Sequence, residues 1–240
     1  MAKQLDASER KRIVARLAQT LGISELLQRL PSELSGGQQQ RVAIARALAQ
    51  QADVLVLDEP LVNLDYKLRE ALVLELKTLL AETGATVIYT STDPRDAFAL
   101  GDQVLLLHEQ SLLQSGTPLG LYQSPKCLAA ARLMSDPGVN LLPGPNFNGG
   151  EQCSFIRPEH VLLPGEAVQD CADTISFHMR VDSIERSGDE TFLHGRVSKD
   201  GELQDEQHWV VRRPGMHSVS VGQMLELNVL GDDILNLALE

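Results

Sequence analysis

Nowhere in its 240 residues does this chain contain G-x-x-x-x-G-K-[ST], the glycine loop whose backbone N–H groups cradle nucleotide phosphates. No apolar run is long either. Stretches such as Val54 to Leu57 and Val104 to Leu107 fall far short of the roughly 20 residues that cross a bilayer, which excludes a transmembrane helix. The N-terminal MAKQLDASERKRIVARL is polar and helix-patterned, without the apolar core of a secretory signal, and predicts a cytoplasmic protein. Basic residues are in deficit, 21 against 33 acidic, so a non-specific nucleic-acid binder, which needs clustered Lys and Arg, is excluded. The acidic excess reads as a solubility feature. Cysteine is scarce. Cys127, Cys153 and Cys171 are odd in number and widely spaced, matching neither a disulfide framework nor a zinc site, and are expected to be ordinary thiols. All six histidines lie at position 108 or later, scattered without ligand spacing, so no protein metal site is expected.

What is present is periodicity. Ile13, Val14, Leu17 and Leu21 mark an amphipathic helix from Ser8 to Leu21, stopped by Gly22. A short helix is expected over Ser24 to Leu30 and another from the Gly36-Gly37 pair to about Gln50. Asp53 to Asp58 is apolar on both faces, as in a central strand of a parallel sheet covered by helices. Leu64, Leu68, Leu72, Leu76 and Leu79 mark a long helix to about Ala81, and Ala85 to Thr90 a second buried strand. Asp93-Pro94 is an N-cap followed by proline at the first helical position. Strand, helix, strand, helix predicts an α/β layer. Two strands, Gln103 to His108 and Leu112 to Gln114, and helices near Thr117 to Tyr122 and Lys126 to Met134 follow. After Pro137 a turn-rich stretch, Pro143 to Gly150, leads into short alternating segments that predict a small antiparallel β-barrel: 153–157, 174–184, 190–197, 208–212 and 224–229.

Residues 34–69, LSGGQQQRVAIARALAQQADVLVLDEPLVNLDYKLR, carry the chemistry. Ser35-Gly36-Gly37-Gln38 opens a helix, where unpaired N–H groups and the positive dipole end suit a phosphate and two glycines let it approach the backbone. On its own the segment also reads as a serine N-cap with a flexible entry. Asp58-Glu59 ends a buried strand, the place where α/β sheets present ligands, although two acids there can simply meet solvent. In order and spacing the run resembles the signature motif, Walker B segment and D-loop of ABC-transporter ATPases. That resemblance implies a RecA-like P-loop NTPase fold with ATP and Mg²⁺ as cofactors. It gives Asp58 the Mg²⁺ contact through water, Glu59 the general-base role, and Ser35, Gly36, Gly37 and Gln38 the γ-phosphate bound by the opposite subunit. Asp65 takes the D-loop position at the dimer interface, with N-cap of the following helix as its alternative role.

Two positions depart from the family pattern. Val62 stands where serine is more usual in the D-loop, and Thr92 stands at the switch-histidine position, in Tyr89-Thr90-Ser91-Thr92-Asp93. Threonine donates a hydroxyl but has no titratable ring, so slower or asymmetric hydrolysis is expected, with Glu59 still available as base, by a factor of roughly 10² to 10³ for one lost oxyanion-type contact.

Beyond the core, Ser135-Asp136-Pro137, Asn140 to Pro143, Ile156 to His160, Val181 to Gly188 and Gly222 to Leu227 resemble the join into, and parts of, the C-terminal TOBE domain of carbohydrate-type importers, an OB-like barrel. This divides the chain into a partial ATPase domain, 1–137 (helical subdomain 1–50, Walker B and D-loop core 51–137), and a regulatory β domain, 138–240, with a linker at 138–152. Trp209 and Phe192 are expected in its core rather than as binding platforms, and Arg157 to His160 as a packing and turn element. The wording Pro60 to Arg69 with Thr92 is nearest a glycerol or polyol uptake branch. The resemblance implies a second ATPase subunit (same or different), transmembrane permease subunits, an indirect periplasmic solute-binding protein, and a peripheral place on the cytoplasmic membrane face. Without the phosphate loop, a second reading stands beside this: a non-catalytic remnant or interaction module that pairs with an intact ATPase and holds no nucleotide of its own.

Overall fold

The computed structural model describes residues 6–62, 66–143, 152–166, 173–198 and 207–238. Asp65, Cys171 and the turn-rich residues 144–150 lie outside them. Contacts group the chain into two compact units, Met1–Asp102 and Gln103–Glu240. Residues 103–137, expected with the ATPase portion, thus pack within the second unit.

In the first unit, helix α1 (Ala7–Thr20) starts where the Asp6 carboxylate accepts from the N–H groups of Ser8 and Glu9, both at 2.8 Å, satisfying two orphan donors of the first turn. The backbone N–H of Glu9, with the hydroxyl and N–H of Ser8, holds that carboxyl below the usual range. Gly22, at φ +61°, turns the chain out of the helix. The helix expected over Ser24 to Leu30 is only a 3₁₀ turn at Ser24–Leu26, and a second such turn spans Pro31–Glu33. Leu27 and Leu30 are 50% and 64% exposed, so no apolar face there holds a longer helix in place. Helix α2 (Gly36–Ala49), strand β1 (Val54–Asp58), helix α3 (Tyr66–Thr83), strand β2 (Thr86–Thr90) and helix α4 (Pro94–Leu100) complete the unit.

Strands β1 and β2 pair in parallel, Val54 opposite Thr86 through Asp58 opposite Thr90. Leu17 of α1 and Leu21 just after it, Ile44 and Leu48 of α2, and Leu72, Leu76 and Leu79 of α3 form one core with Leu55 and Leu57. Each fully buried leucine or isoleucine there contributes about 1.5–3 kcal/mol of hydrophobic stabilisation. The strands are not covered on both faces, as the continuous apolar run had suggested. Val54, Val56 and Ile88 are 55%, 62% and 53% exposed, because the helices of this unit pack on the Leu55 and Leu57 side alone.

The second unit begins with the antiparallel pair β3 (Val104–His108) and β4 (Ser111–Gly116), then the short helices α5 (Pro118–Gln123) and α6 (Leu128–Leu133). Seven strands follow: β5 (Asn140–Leu141), β6 (Gln152–Ile156), β7 (Thr174–Arg186), β8 (Glu190–Ser198), β9 (Gln207–Pro214), β10 (Met224–Leu230) and β11 (Leu235–Ala238). They form two antiparallel sheets in the orders β10-β7-β8-β9 and β11-β6-β5. Alternate residues of β7 to β10 turn inward over a core of Phe177, Met179, Leu193, Trp209, Val211 and Leu227, each at most 1% exposed. The rings of Phe177 and Trp209 lie 4.9 Å apart. Trp209 is core as expected, whereas Phe192 is only half-buried, with the Arg212 guanidinium 5.8 Å from its ring.

The turn at Arg157 to His160 is structural. Arg157, 1% exposed, stacks 3.6 Å over the Tyr122 ring and donates to the Tyr122 carbonyl and the Ser135 hydroxyl, while Tyr122 donates to Glu159 Oε1. Burial pulls the Arg157 guanidinium below its usual pKa, opposed by Tyr122 and Glu159. Burial likewise raises Tyr122, helped by Glu159. Cys127 and Cys153 are buried free thiols, and burial pushes Cys153 up.

Gly195 in β8 has a packing reason that the sequence does not display. A Cβ there would sit 2.2 Å from the Arg180 carbonyl oxygen and 2.7 Å from Met179 Cε. Gly195→Ala is expected to destabilise the second unit by about 2 kcal/mol by forcing β8 away from its neighbour β7. Chemical denaturation followed by tryptophan fluorescence measures it, and an unchanged midpoint would show that the sheet relaxes freely.

Candidate functional site

The site is assembled at the carboxyl ends of β1 and β2, where both acids predicted from the sequence stand together. Asp58 closes β1, and Glu59 follows at φ +42°, a left-handed conformation uncommon for a residue with a side chain. Three bonds hold that turn. Thr90 Oγ1 donates to Asp58 Oδ1 at 2.6 Å and accepts from Glu59 N at 2.9 Å, and Gln40 Nε2 donates to the Glu59 carbonyl at 3.1 Å. Asp58 and Glu59 keep exposed side chains.

Gln40 stands in the signature run and Thr90 just before the switch position, but the sequence assigned neither of them a role. Gln40 lies two residues after the signature positions on α2, so its amide ties the signature helix to the backbone of the candidate base. Its Oε1 is buried with no hydrogen-bond partner among the described residues. The signal was the register: β2 pairs Thr90 with Asp58.

Thr92, at the switch position, lines a small cleft of about 20 Å³ with Glu59, Arg69, Tyr89, Ser91 and Asp96, among others. The structure thereby brings Thr92 and Glu59 to one cleft. Beneath it lies Asp96, 3% exposed, whose Oδ2 accepts from Ser91 Oγ at 2.7 Å, Arg69 Nη2 at 2.9 Å and Tyr89 OH at 3.0 Å. Arg69 Nη2 also lies 3.0 Å from Asp93 Oδ2, and Arg95 binds the same carboxylate. Burial would raise Asp93, but the hydrogen bonds and charge of Arg95, with Arg69 behind them, outweigh it and hold the carboxyl below its usual range. Tyr89 is pushed far up, by burial first and then by the charge and hydrogen bond of Asp96.

Ser35 caps α2: its Oγ accepts from Gln38 N at 3.4 Å, and Ser35 N donates to Gln38 Oε1 at 3.0 Å, a reciprocal capping box. Gly36 and Gly37 form its first turn, and a Cβ at Gly36 would meet nothing within 4 Å. The serine-cap reading thus holds in the structure, and it leaves the glycine backbone accessible at a helix N-terminus. Asp65 lies outside the described residues, so this geometry does not include it.

The donor set fits a magnesium ion that arrives with nucleotide and does not fit a resident one. Mg²⁺ accepts one or two carboxylates when phosphates and water fill its other positions, and Asp58 offers one exposed carboxylate already oriented by Thr90. Among the described residues, no group of three or more His, Cys, Asp or Glu could hold a metal by itself.

The ABC transporter family profile matches residues 2–62, and a TOBE domain profile matches residues 155–237. The sn-glycerol-3-phosphate import ATP-binding protein UgpC of Brucella abortus (strain 2308) is 31% identical over 237 residues, covering 94% of this chain and 66% of that protein. The corresponding UgpC of Chromohalobacter salexigens is 35% identical, covering 91% and 62%. The xylose/arabinose import ATP-binding protein XacJ of Haloferax volcanii is 32% identical, covering 95% and 65%. The chain therefore spans just under two thirds of the length of these curated relatives. By its signature helix, its Asp58-Glu59 strand end and its second, all-β segment, the chain belongs to the ABC transporter ATPase family, with a TOBE domain following its ATPase segment.

Proposed function

We propose that this chain is the carboxyl-terminal part of the ATP-binding subunit of an ABC importer for a carbohydrate or polyol, residues 1–137 being ATPase domain and 138–240 the regulatory β domain. The observation that carries the reading is the arrangement around Thr90, which orients Asp58 and fixes the backbone of Glu59 while Gln40 ties Glu59 to the signature helix. Relatives named for glycerol-3-phosphate and for xylose/arabinose import support the solute class. A nucleotide-borne Mg²⁺ would supply charge neutralisation on the phosphates. Asp58 would hold the magnesium through water, Glu59 would accept the proton of the attacking water, and Ser35, Gly36, Gly37 and Gln38 would present donors to the nucleotide of the opposite subunit. Asp65, outside the described residues, is assigned to the subunit interface by the family resemblance alone. The partners are a second ATPase subunit and membrane permease subunits, placing the protein peripherally on the cytoplasmic membrane face. Among the described residues no helix is long and apolar enough to cross a membrane.

The absent phosphate loop favours a second reading, an interaction module that pairs with an intact ATPase without a nucleotide of its own. Mixing the chain with an intact ABC ATPase subunit and following association by sedimentation with and without ATP tests the signature's role. ATP-dependent association, lost at least about tenfold in Gly37→Asp through repulsion of phosphate, is expected. ATP-independent association unaffected by Gly37→Asp would leave the interaction module standing.

Thr92 makes a separate prediction. In an assembly that turns over ATP, Thr92→His is expected to raise kcat by about tenfold or more by restoring an imidazole donor at the phosphate. An unchanged kcat would mean that Thr92 already serves fully.

A further inference from the structure

Three glutamines follow one another near the start of α2, and the helix turns each of them to a different side. Gln38 closes the capping box with Ser35. Gln39 Nε2 donates to the Pro31 and Leu34 carbonyls, both at 3.1 Å, so the segment ahead of the helix is tied to it. Gln40 reaches the end of β1, where its Nε2 donates to the Glu59 carbonyl at 3.1 Å. Its Oε1 meanwhile stays buried with no partner among the described residues. The side chain thus gives up the hydration of one amide atom to place the other on Glu59.

Glu59 depends on that hold. At φ +42° its backbone lies in the left-handed region, where a residue with a side chain persists only if its surroundings fix it. Thr90 Oγ1 accepts from its N–H at 2.9 Å, and its carbonyl accepts from Gln40 and, at 3.3 Å, from Val62 N. Thr90 stands on β2, paired with β1 along its length, and Val62 is only three residues further on, so both follow Glu59. Of these partners only Gln40 stands on a helix.

We infer that Gln40 is a positioning residue that couples the two nucleotide sites of a paired assembly: engagement of the signature end of α2 by the opposite subunit is transmitted through Gln40 to the backbone of this chain's own candidate base. The inference rests on the ATP-handling reading of Ser35 to Gln38 and of Glu59, and adds to it how one site regulates the other. Gln40 lies less than one helical turn from Gly37, so α2 carries a displacement of its first turn to Gln40 undiminished. A shift of about 1 Å takes a bond of this length out of hydrogen-bonding range. A helix held in place therefore fixes the turn at Glu59, and a displaced one releases it. Mere space-filling beneath the turn would be met as well by an apolar side chain of equal length.

The test mixes the full chain with an intact ABC ATPase subunit and ATP and reads hydrogen exchange at the Glu59 and Val62 amides, the two N–H groups bonded within the turn. Gln40→Met keeps side-chain length and helix propensity and removes the donor. In the free chain it is expected to speed exchange at both amides at least about tenfold, with the amides of β1 and α3 unchanged as evidence of an intact fold. ATP-dependent association is expected to slow both amides at least about fivefold in the parent but not in Gln40→Met, which still associates. Gln39→Met, which loosens the segment ahead of α2 without touching Glu59, should keep the response. Equal slowing in Gln40→Met would show that the partner simply covers the turn, and would overturn the coupling. No slowing in the parent, or loss of the response in Gln39→Met, would do the same while leaving the ATP-handling reading in place. A parent chain that does not associate in the presence of ATP removes that reading itself, and the coupling falls with it.

Discussion

Asp96→Ala is expected to cost the first unit about 3 kcal/mol, at the lower end for breaking a buried ion pair. Three donors converge on one oxygen of Asp96: a guanidinium from α3, a phenol from β2 and a hydroxyl from the loop that holds Thr92. Alanine takes the shared acceptor from all three in a site that is itself 3% exposed. The effect stays at the lower end because Arg69 retains Asp93 and its side chain is 23% exposed. Thermal unfolding of Asp96→Ala and Asp96→Asn separates charge from hydrogen bonding, asparagine keeping an acceptor and losing less. Equal melting temperatures for both variants and the parent would sink the claim.

Tyr89 supplies an independent readout of the same network. Its phenol is raised by burial, then by Asp96, so the folded unit prefers the protonated form. That preference is fully present below the unfolded tyrosine pKa of about 10 and is lost as pH rises above it. Removing Asp96 removes two of the raising causes, so Tyr89 should ionise at lower pH in Asp96→Ala, and the alkaline decline in stability should weaken. Ultraviolet titration of the phenol reads the shift directly, and an unmoved Tyr89 would mean that burial alone sets it.

Trp209→Ala is expected to destabilise the second unit by about 4 kcal/mol, the middle of the range for removing a large buried aromatic. The indole is 0% exposed, lies 4.9 Å from Phe177, and donates from Nε1 to the Leu141 carbonyl at 2.7 Å. That bond clips β5 to β9, beside a second clip in which the buried Asn140 amide accepts from Val210 N and donates to Val210 O, both at 2.8 Å. Trp209→Phe keeps most of the packing and loses the donor, leaving the Leu141 carbonyl short of a partner, for about 1–2 kcal/mol. Denaturant unfolding followed by circular dichroism ranks the two variants, and a loss as large for phenylalanine as for alanine would show that the hydrogen bond, not the ring, holds the sheets.

Much of this was legible beforehand, and for local reasons. The helix starts at Ser35 and Asp93 follow from side chains that satisfy orphan N–H groups within three residues, whereas the cap at Asp6 went unread and the first helix was expected from Ser8. The strands around Leu55, Val87 and Leu193 follow from apolar runs and alternation, and Asp58 with Glu59 from their place at a strand end. The misreadings have the opposite character. Ser24 to Leu30 had helix-compatible residues but no apolar face to hold a helix, and β5 and β11 were too short to show a period. The contacts of Gln40, Thr90 and Asp96 leave no local signal, since they depend on partners 19, 32 and 27 positions away.

The amino-acid sequence by itself determined the α/β and β character of the two segments, the signature helix with its cap, and the acidic pair at the end of a strand. Each rests on chemistry within a few residues, where chain order and spatial neighbourhood coincide. Tertiary structure alone decided that Thr90 orients Asp58, that Gln40 holds the left-handed turn at Glu59, that Asp96 gathers Arg69, Tyr89 and Ser91, and that Val54, Val56 and Ile88 face solvent. An apolar strand reads the same whether one face or both are covered, because burial belongs to the neighbours that pack on it and not to the strand.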